Sequence, residues 1–140
     1  MWRCPACGRT FANCNQAHAC AAPGDLDRHF EHASPEVRAT FDTVLAAVST
    51  LGPVQVLAEK TRIALHVRMS FAAFMPRRWL AGHLVLARRI DSARFVRIDE
   101  LSARNVVHAF RLASPQEVDE HFTAWLAEAY AVGAQRHLRR

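Results

Sequence analysis

The sequence predicts an α+β protein, in which a small cysteine-rich N-terminal module precedes a two-layer domain whose antiparallel sheet of about five strands is flanked by two helices. Three observations carry this prediction. All four cysteines lie within the first 20 residues. Two segments near the ends of the remaining chain have helical apolar periodicity, and apolar residues recur at every second position between 54 and 112. The order helix, strands, helix favours both helices on one sheet face.

The 140 residues divide into a cysteine-rich module over 1–22, a linker over 23–34, the α+β domain over 35–133 and a basic tail over 134–140. This length suits one domain of ordinary size plus the module. No apolar run approaches the roughly 20 residues that span a bilayer. We therefore expect a soluble, cytoplasmic protein without membrane contact.

The cysteine-rich module has the spacing of a zinc site. A CPxCG pattern holds Cys4 and Cys7, and an HxC pattern holds His18 and Cys20. Two cysteines separated by two residues can turn both sulfurs toward one ion, and a second ligand pair completes a tetrahedron. The module therefore predicts one structural Zn²⁺ held by three cysteines and one histidine, a closed ligand set with no position for water.

Two alternatives remain open for the cysteines. Cys14 lies between the ligand pairs, so it is either a spare thiol or a replacement for His18 or Cys20. A disulfide framework would need an oxidising compartment, and neither an apolar signal-peptide core nor the cysteine density of a secreted mini-protein is found.

The first helix is predicted from Ser34, with Pro35 in the first turn, to the breaker Gly52-Pro53. The second is predicted from a capping box at Ser114–Glu117 to Gly133. Between them the alternating positions indicate a meander of four to six mostly antiparallel strands, with Gly82 among the breakers. These strands include Val54 and Val56, Ile63 to Val67, Phe71 to Met75, Leu84 and Leu86, Phe95 to Leu101, and Val106 to Leu112.

Positive charge is concentrated in the predicted strands. Positions 60–111 hold eleven cationic and three acidic residues, whereas the whole chain has a net charge of +5. If Ile63 and Leu65 face the helices, Arg62 and its alternating neighbours face the other way. This pattern indicates a basic sheet face. An ordinary solvated face, with charges that serve solubility, is an equally expected explanation. The candidate binding residues are Lys60, Arg62, Arg68, Arg88, His108 and Arg111.

Nearly the whole chain resembles an uncharacterised bacterial family, domain of unknown function five-six-five-five, and the zinc finger that precedes it. The resemblance is carried by the WxCPxCGRxF and NQxHxC patterns of the module and by segments of the domain such as Lys60–Ala64, His108–Leu112 and Trp125–Tyr130. It supports Cys4, Cys7, His18 and Cys20 as the ligands, because members commonly have other residues at the position of Cys14. Relatives fused to nuclease-like and restriction-associated proteins imply a nucleic-acid partner.

No reaction is indicated, and we assign no catalytic residue. The sequence lacks a glycine-rich phosphate loop, a nucleophile elbow and an HExxH motif. His66 and His108 are the histidines to inspect for catalysis, although core or surface roles are more common. The prediction is a zinc-containing, non-enzymatic binding module that contacts DNA or RNA through the basic face. The alternatives are a small anionic ligand held by Arg62 and a protein partner.

Overall fold

The computed structural model describes residues 2–3, 10–11 and 26–136. Its α+β fold is an open antiparallel sheet of six strands with two helices on one face. The elements are two short strands, β1 (Trp2–Arg3) and β2 (Thr10–Phe11), a 3-10 helix (Leu26–Phe30), α1 (Pro35–Ser49), β3 (Gln55–Ala58), β4 (Ile63–His66), β5 (Ser70–Pro76), β6 (Leu80–Leu86), β7 (Phe95–Ser102), β8 (Asn105–Leu112), a 3-10 turn (Pro115–Glu117) and α2 (Glu120–Gly133).

The first helix begins where the sequence predicts it. The Ser34 side chain accepts a hydrogen bond from the backbone N–H of Val37, and Pro35 occupies the first turn. A buried stripe of Val37, Phe41, Val44 and Val48 then faces the sheet. The preceding segment also belongs to this unit, because Phe30 packs on Phe41 with ring centroids 5.4 Å apart. Residues 26–34 of the predicted linker are therefore part of the folded domain.

The second helix begins later than predicted. Ser114 makes no side-chain capping bond, and residues Pro115–Glu117 form a 3-10 turn in which the Glu117 carboxylate accepts from the N–H of Ala113. Asp119 is the true N-cap, since its carboxylate accepts from the N–H of Phe122 at 2.9 Å. The local signal at Ser114 thus marks the turn that precedes α2.

The sheet has six strands where about five were predicted, in the order β3-β4-β5-β6-β8-β7. It is not a simple meander, because β8 pairs with β6 and places β7 at the edge. Burial explains this order. Residues of β8 alternate between the core and the other face, whereas most of β7 is exposed. The strand with more apolar surface to bury takes the interior position.

The core lies between the sheet and the helices and contains a line of aromatic rings. Phe41, Phe74, Phe110 and Phe122 follow one another with centroids 5.0 to 5.8 Å apart, which links α1, β5, β8 and α2. Gly82, predicted as a breaker, lies inside β6 beneath this line. A Cβ there would overlap the carbonyl oxygen of Ala73 and crowd Phe74 and Phe110. The glycine makes room for the rings, and the strand continues through it.

Candidate functional site

The predicted zinc ligands Cys4, Cys7, His18 and Cys20 lie outside the described residues, as does Cys14. The strands around the first pair are described: Trp2 pairs with Phe11, and Arg3 with Thr10, in antiparallel register. Arg3 and Thr10 are the described residues that flank positions 4–9. Within the described ranges, no group of three metal-ligating side chains converges.

The six predicted binding residues do not form one surface. We call the sheet face opposite the helices the outer face. Arg62 and Arg111 are on the outer face at the end of the sheet formed by the β3–β4 and β5–β6 turns, and Lys60 lies in the first of these turns. Arg68 and Arg88 lie at the opposite end. His108 points to the helix side.

His108 is a fully buried structural histidine. Its Nε2 accepts a hydrogen bond from the backbone N–H of Ile90 at 2.9 Å, which leaves Nδ1–H to donate to the carbonyl oxygen of Val106 at 3.0 Å. Both bonds fit the neutral imidazole. Burial lowers the pKa of His108, with a smaller contribution from Arg89. The expectation that this residue shares the basic face was wrong, because its side chain ties the β6–β7 connection to β8.

Arg88 is also on the helix side. Its guanidinium makes two hydrogen bonds to the Glu128 carboxylate of α2, at 3.0 and 3.1 Å. This partner raises the pKa of Arg88. Arg68 lies in the β4–β5 turn, where its backbone N–H and that of Met69 donate to the carbonyl oxygen of Gly133 at 2.9 and 3.1 Å. Neither residue joins Arg62 and Arg111, which corrects the predicted constellation.

Two further arginines belong with Lys60, Arg62 and Arg111. The β5–β6 turn carries Arg77 and Arg78, both exposed. Strand register places this turn beside the others, since Ile63 pairs with Phe74, Pro76 with Leu80, and Leu80 with Leu112. With neighbouring strands about 4.8 Å apart, the row from β4 to β8 spans about 14 Å. We call this set the basic end: Lys60, Arg62, Arg77, Arg78 and Arg111.

Trp79 holds part of the basic end in place. The guanidinium carbon of Arg111 lies 4.7 Å from the centre of the indole, in cation–π geometry. The Arg77 backbone N–H donates to the carbonyl oxygen of Trp79 at 2.9 Å, which closes the β5–β6 turn. Among residues 26–136, no carboxylate forms an ion pair with Arg77, Arg78 or Arg111. Their charges are therefore directed to solvent.

Arg62 is the member of the basic end that has an acidic neighbour. Its Nε lies 2.9 Å from the Glu59 carboxylate. Across the outer face, burial together with the Arg62 charge lowers the pKa of His83. Both effects favour the neutral form of His83.

The sequence prediction missed Arg77 and Arg78, although both are in the charged segment. The missing information was strand register, since only pairing shows that the β5–β6 turn lies beside Arg62 and Arg111. For Arg88 and His108, the sequence did contain a signal for the correct sheet face. Arg88 has the same parity as the core residues Leu84 and Leu86, and His108 the same parity as Phe110. Simple alternation assigns both to the helix side.

His66 was the other histidine to inspect for catalysis. It is 3% exposed, and its Nδ1 lies 3.1 Å from the Ser70 hydroxyl across the β4–β5 turn. A serine–histidine pair acts on a substrate only if the substrate can reach it together with oxyanion donors. This imidazole is instead packed at the ends of two adjacent strands. The bond between His66 and Ser70 connects the two strands locally, and we assign the pair no catalytic role.

Neither helix in the described part of the chain has the length and apolar character that crossing a bilayer requires. No curated protein and no solved structure matches the chain. One family model matches residues 26–133, which cover the 3-10 helix, α1, the six-stranded sheet and α2. The match thus spans the whole folded unit described above, and the chain belongs to the family Domain of unknown function (DUF5655).

Proposed function

We propose that this protein is a non-enzymatic nucleic-acid-binding module that contacts phosphates through the basic end. The observation that supports this most is the gathering of five cationic side chains at one end of the sheet, with Glu59 as the acid paired within that set. Exposed guanidinium groups offer paired N–H donors that match phosphate oxygens. Contacts of this kind position a nucleic acid without reading its bases.

The spacing of the basic end suits a phosphate backbone. Its row of about 14 Å is long enough to contact more than one phosphate of a strand. Five phosphate contacts would make the affinity fall about 500-fold between roughly 50 and roughly 200 mM salt. Trp79 is partly exposed beside Arg111 and adds a ring that can stack on a base at a strand end or in a single strand.

We also propose that the N-terminal module binds a structural zinc ion. Cys4, Cys7, His18 and Cys20 would hold it, and when bound the ion supplies the folding free energy of a segment too short to build its own core. We expect one zinc per chain in protein purified without chelator, measured by elemental analysis. Cys7→Ser should abolish the zinc content while the domain over 26–133 still unfolds cooperatively. Metal-free wild-type protein would contradict the assignment.

Fluorescence anisotropy with labelled single- and double-stranded oligonucleotides tests nucleic-acid binding. Arg77→Glu combined with Arg78→Glu should weaken binding at least about tenfold and reduce the salt slope by about two, because two phosphate contacts become repulsive. The matched control is Arg97→Glu with Arg104→Glu, which makes the same change in net charge on the exposed β7–β8 hairpin.

Equal losses in the two double variants would show that only net charge matters, which contradicts a site at the basic end. Wild-type protein that binds neither oligonucleotide at low salt would overturn the proposed function. Binding of inorganic phosphate with an affinity equal to that for an oligonucleotide would identify the basic end as a site for small anions.

A further inference from the structure

Strand β7 forms a long, exposed edge of the large sheet. It comprises eight residues and pairs with β8 alone among the strands that the structure describes. The opposite edge strand, β3, has four residues, all buried or partly buried, and contacts the 3-10 helix. An edge strand presents a row of unpaired N–H and C=O groups to which a further strand can add. Of the two edges, β7 is therefore the one suited to a partner.

The side chains of β7 add apolar surface to this edge. Val96 and Leu101 are 56% and 71% exposed, and they are the exposed large apolar side chains of the described part of the chain. Both lie at register shifts, where β7 has one residue more than β8. Between the shifts, residues 97–100 pair with β8 in regular register. This regular stretch is the part of the edge that a second strand can follow.

Symmetry restricts how two copies of β7 can pair. When a two-fold axis relates two antiparallel copies of one strand, one residue lies opposite its own copy, and residues at equal distances on either side of it face each other. An axis at Arg97 would place two arginines opposite each other, and an axis at Asp99 would do the same with two aspartates. Like charges directly opposite each other are destabilising. Both of these registers are therefore disfavoured.

The register between these two, with the axis at Ile98, has complementary charges. Ile98 then lies opposite the partner's Ile98, and Arg97 of each copy lies opposite the partner's Asp99. Arg97 and Asp99 share the outer face, because β7 pairs them with the residues on either side of His108. They are already close within one chain, with the Arg97 Nε 2.9 Å from the Asp99 carboxylate. Pairing would therefore bring four charges of alternating sign into one cluster.

We propose that a second copy of this chain adds to β7, so that the two sheets join through an antiparallel pairing centred on Ile98. The charges that guard this edge against other strands also select this one register. The register shifts at Val96 and Leu101 keep the paired stretch short, so the buried area is small and the dimer is weak and concentration-dependent. This inference concerns contacts between two copies of the chain and does not depend on nucleic-acid binding.

Charge variants of β7 test this pairing by sedimentation equilibrium of the full chain, with a reducing agent present so that no intermolecular disulfide forms. Wild-type protein should show a monomer–dimer equilibrium. Arg97→Asp opposes two aspartates at each of the two contacts, and Asp99→Arg opposes two arginines. Each variant should raise the dissociation constant of the dimer at least about tenfold, because two attractive pairs become repulsive.

A mixture of the two variants distinguishes pairing through β7 from any other contact. A chain with Arg97→Asp has acidic residues at both positions, and a chain with Asp99→Arg has basic residues at both, so an equimolar mixture should form a heterodimer. Arg28→Asp is the matched control, since it makes the same charge change as Arg97→Asp on the exposed surface of the 3-10 helix beside β3. It should leave the dissociation constant unchanged.

Circular dichroism spectra equal to those of the wild type show that the variants are folded, and Asp99→Lys replaces Asp99→Arg if the arginine variant does not fold. Wild-type protein that stays monomeric up to about 1 mM would overturn the proposal. A wild-type dimer that Arg97→Asp leaves intact, or that Arg28→Asp weakens equally, would overturn it as well. So would folded variants that fail to associate when they are mixed.

Discussion

The two halves of the sheet, β4 with β5 and β6 with β8, are built from the same kind of strand and differ in how much of their outer face is buried. In β4 and β5 the residues of both faces are buried, so that small side chains such as Ala64 and Ala73 replace the polar residues expected on a solvated face. In β6 and β8 the outer positions stay partly open. The difference shows that one sheet can serve as a packing surface on one side and as an accessible surface on the other.

The largest difference is expected for a buried charge. Ala73→Asp places a carboxylate at a buried position on the outer face of β5 and should destabilise the protein by at least about 3 kcal/mol, because the charge loses its water without gaining a partner. Ala81→Asp lies on the outer side of β6, opposite Arg111, and should cost under about 1 kcal/mol. Urea unfolding of the full chain measures both. Equal costs would remove the distinction between the halves.

The two edge strands offer a matched pair of leucines. Leu57 on β3 is 7% exposed, whereas Leu101 on β7 is 71% exposed. Leu57→Ala should cost about 2 to 3 kcal/mol, since it removes buried methyl groups. Leu101→Ala should change the free energy of unfolding by less than about 0.5 kcal/mol. If Leu57→Ala proved as mild as Leu101→Ala in urea unfolding, the burial of Leu57 would contribute little to stability.

The smallest expected effect is a pH dependence from His83 on the outer face and His108 in the core. Burial lowers the pKa of both His83 and His108 below the ordinary value of 6.5. The unfolded chain therefore binds more protons below pH 6.5. Stability should be complete above about pH 6.5 and decline as the pH falls toward the folded-state pKa values, by at most about 1.4 kcal/mol per pH unit for each histidine.

Urea unfolding at several pH values measures this decline, and His108→Gln should reduce the slope. His121→Gln is the control, because His121 is exposed on α2. A slope that stays unchanged in His108→Gln would mean that His108 is not the group being titrated.

The sequence was informative where a signal is local. Ser34 and Pro35 mark the start of α1, and the parity of Ile63 and Leu65 assigns Arg62 to the outer face. It was uninformative where pairing is nonlocal. Nothing near β7 shows that β8 lies between it and β6, and the space for Gly82 is created by Phe74 and Phe110 from other strands. The grouping of Arg77 with Arg111 depends on the same long-range register.

The bonds from Arg68 and Met69 to the carbonyl oxygen of Gly133 also affect how the chain folds during synthesis. They join the β4–β5 turn to the last residue of α2, more than 60 positions further along the chain. A ribosome that has made all six strands of the large sheet has therefore made a core in which α1 covers Phe74 but Phe110 still lacks the Phe122 ring of α2. Such a nascent chain is a substrate for chaperones until α2 emerges and closes the core.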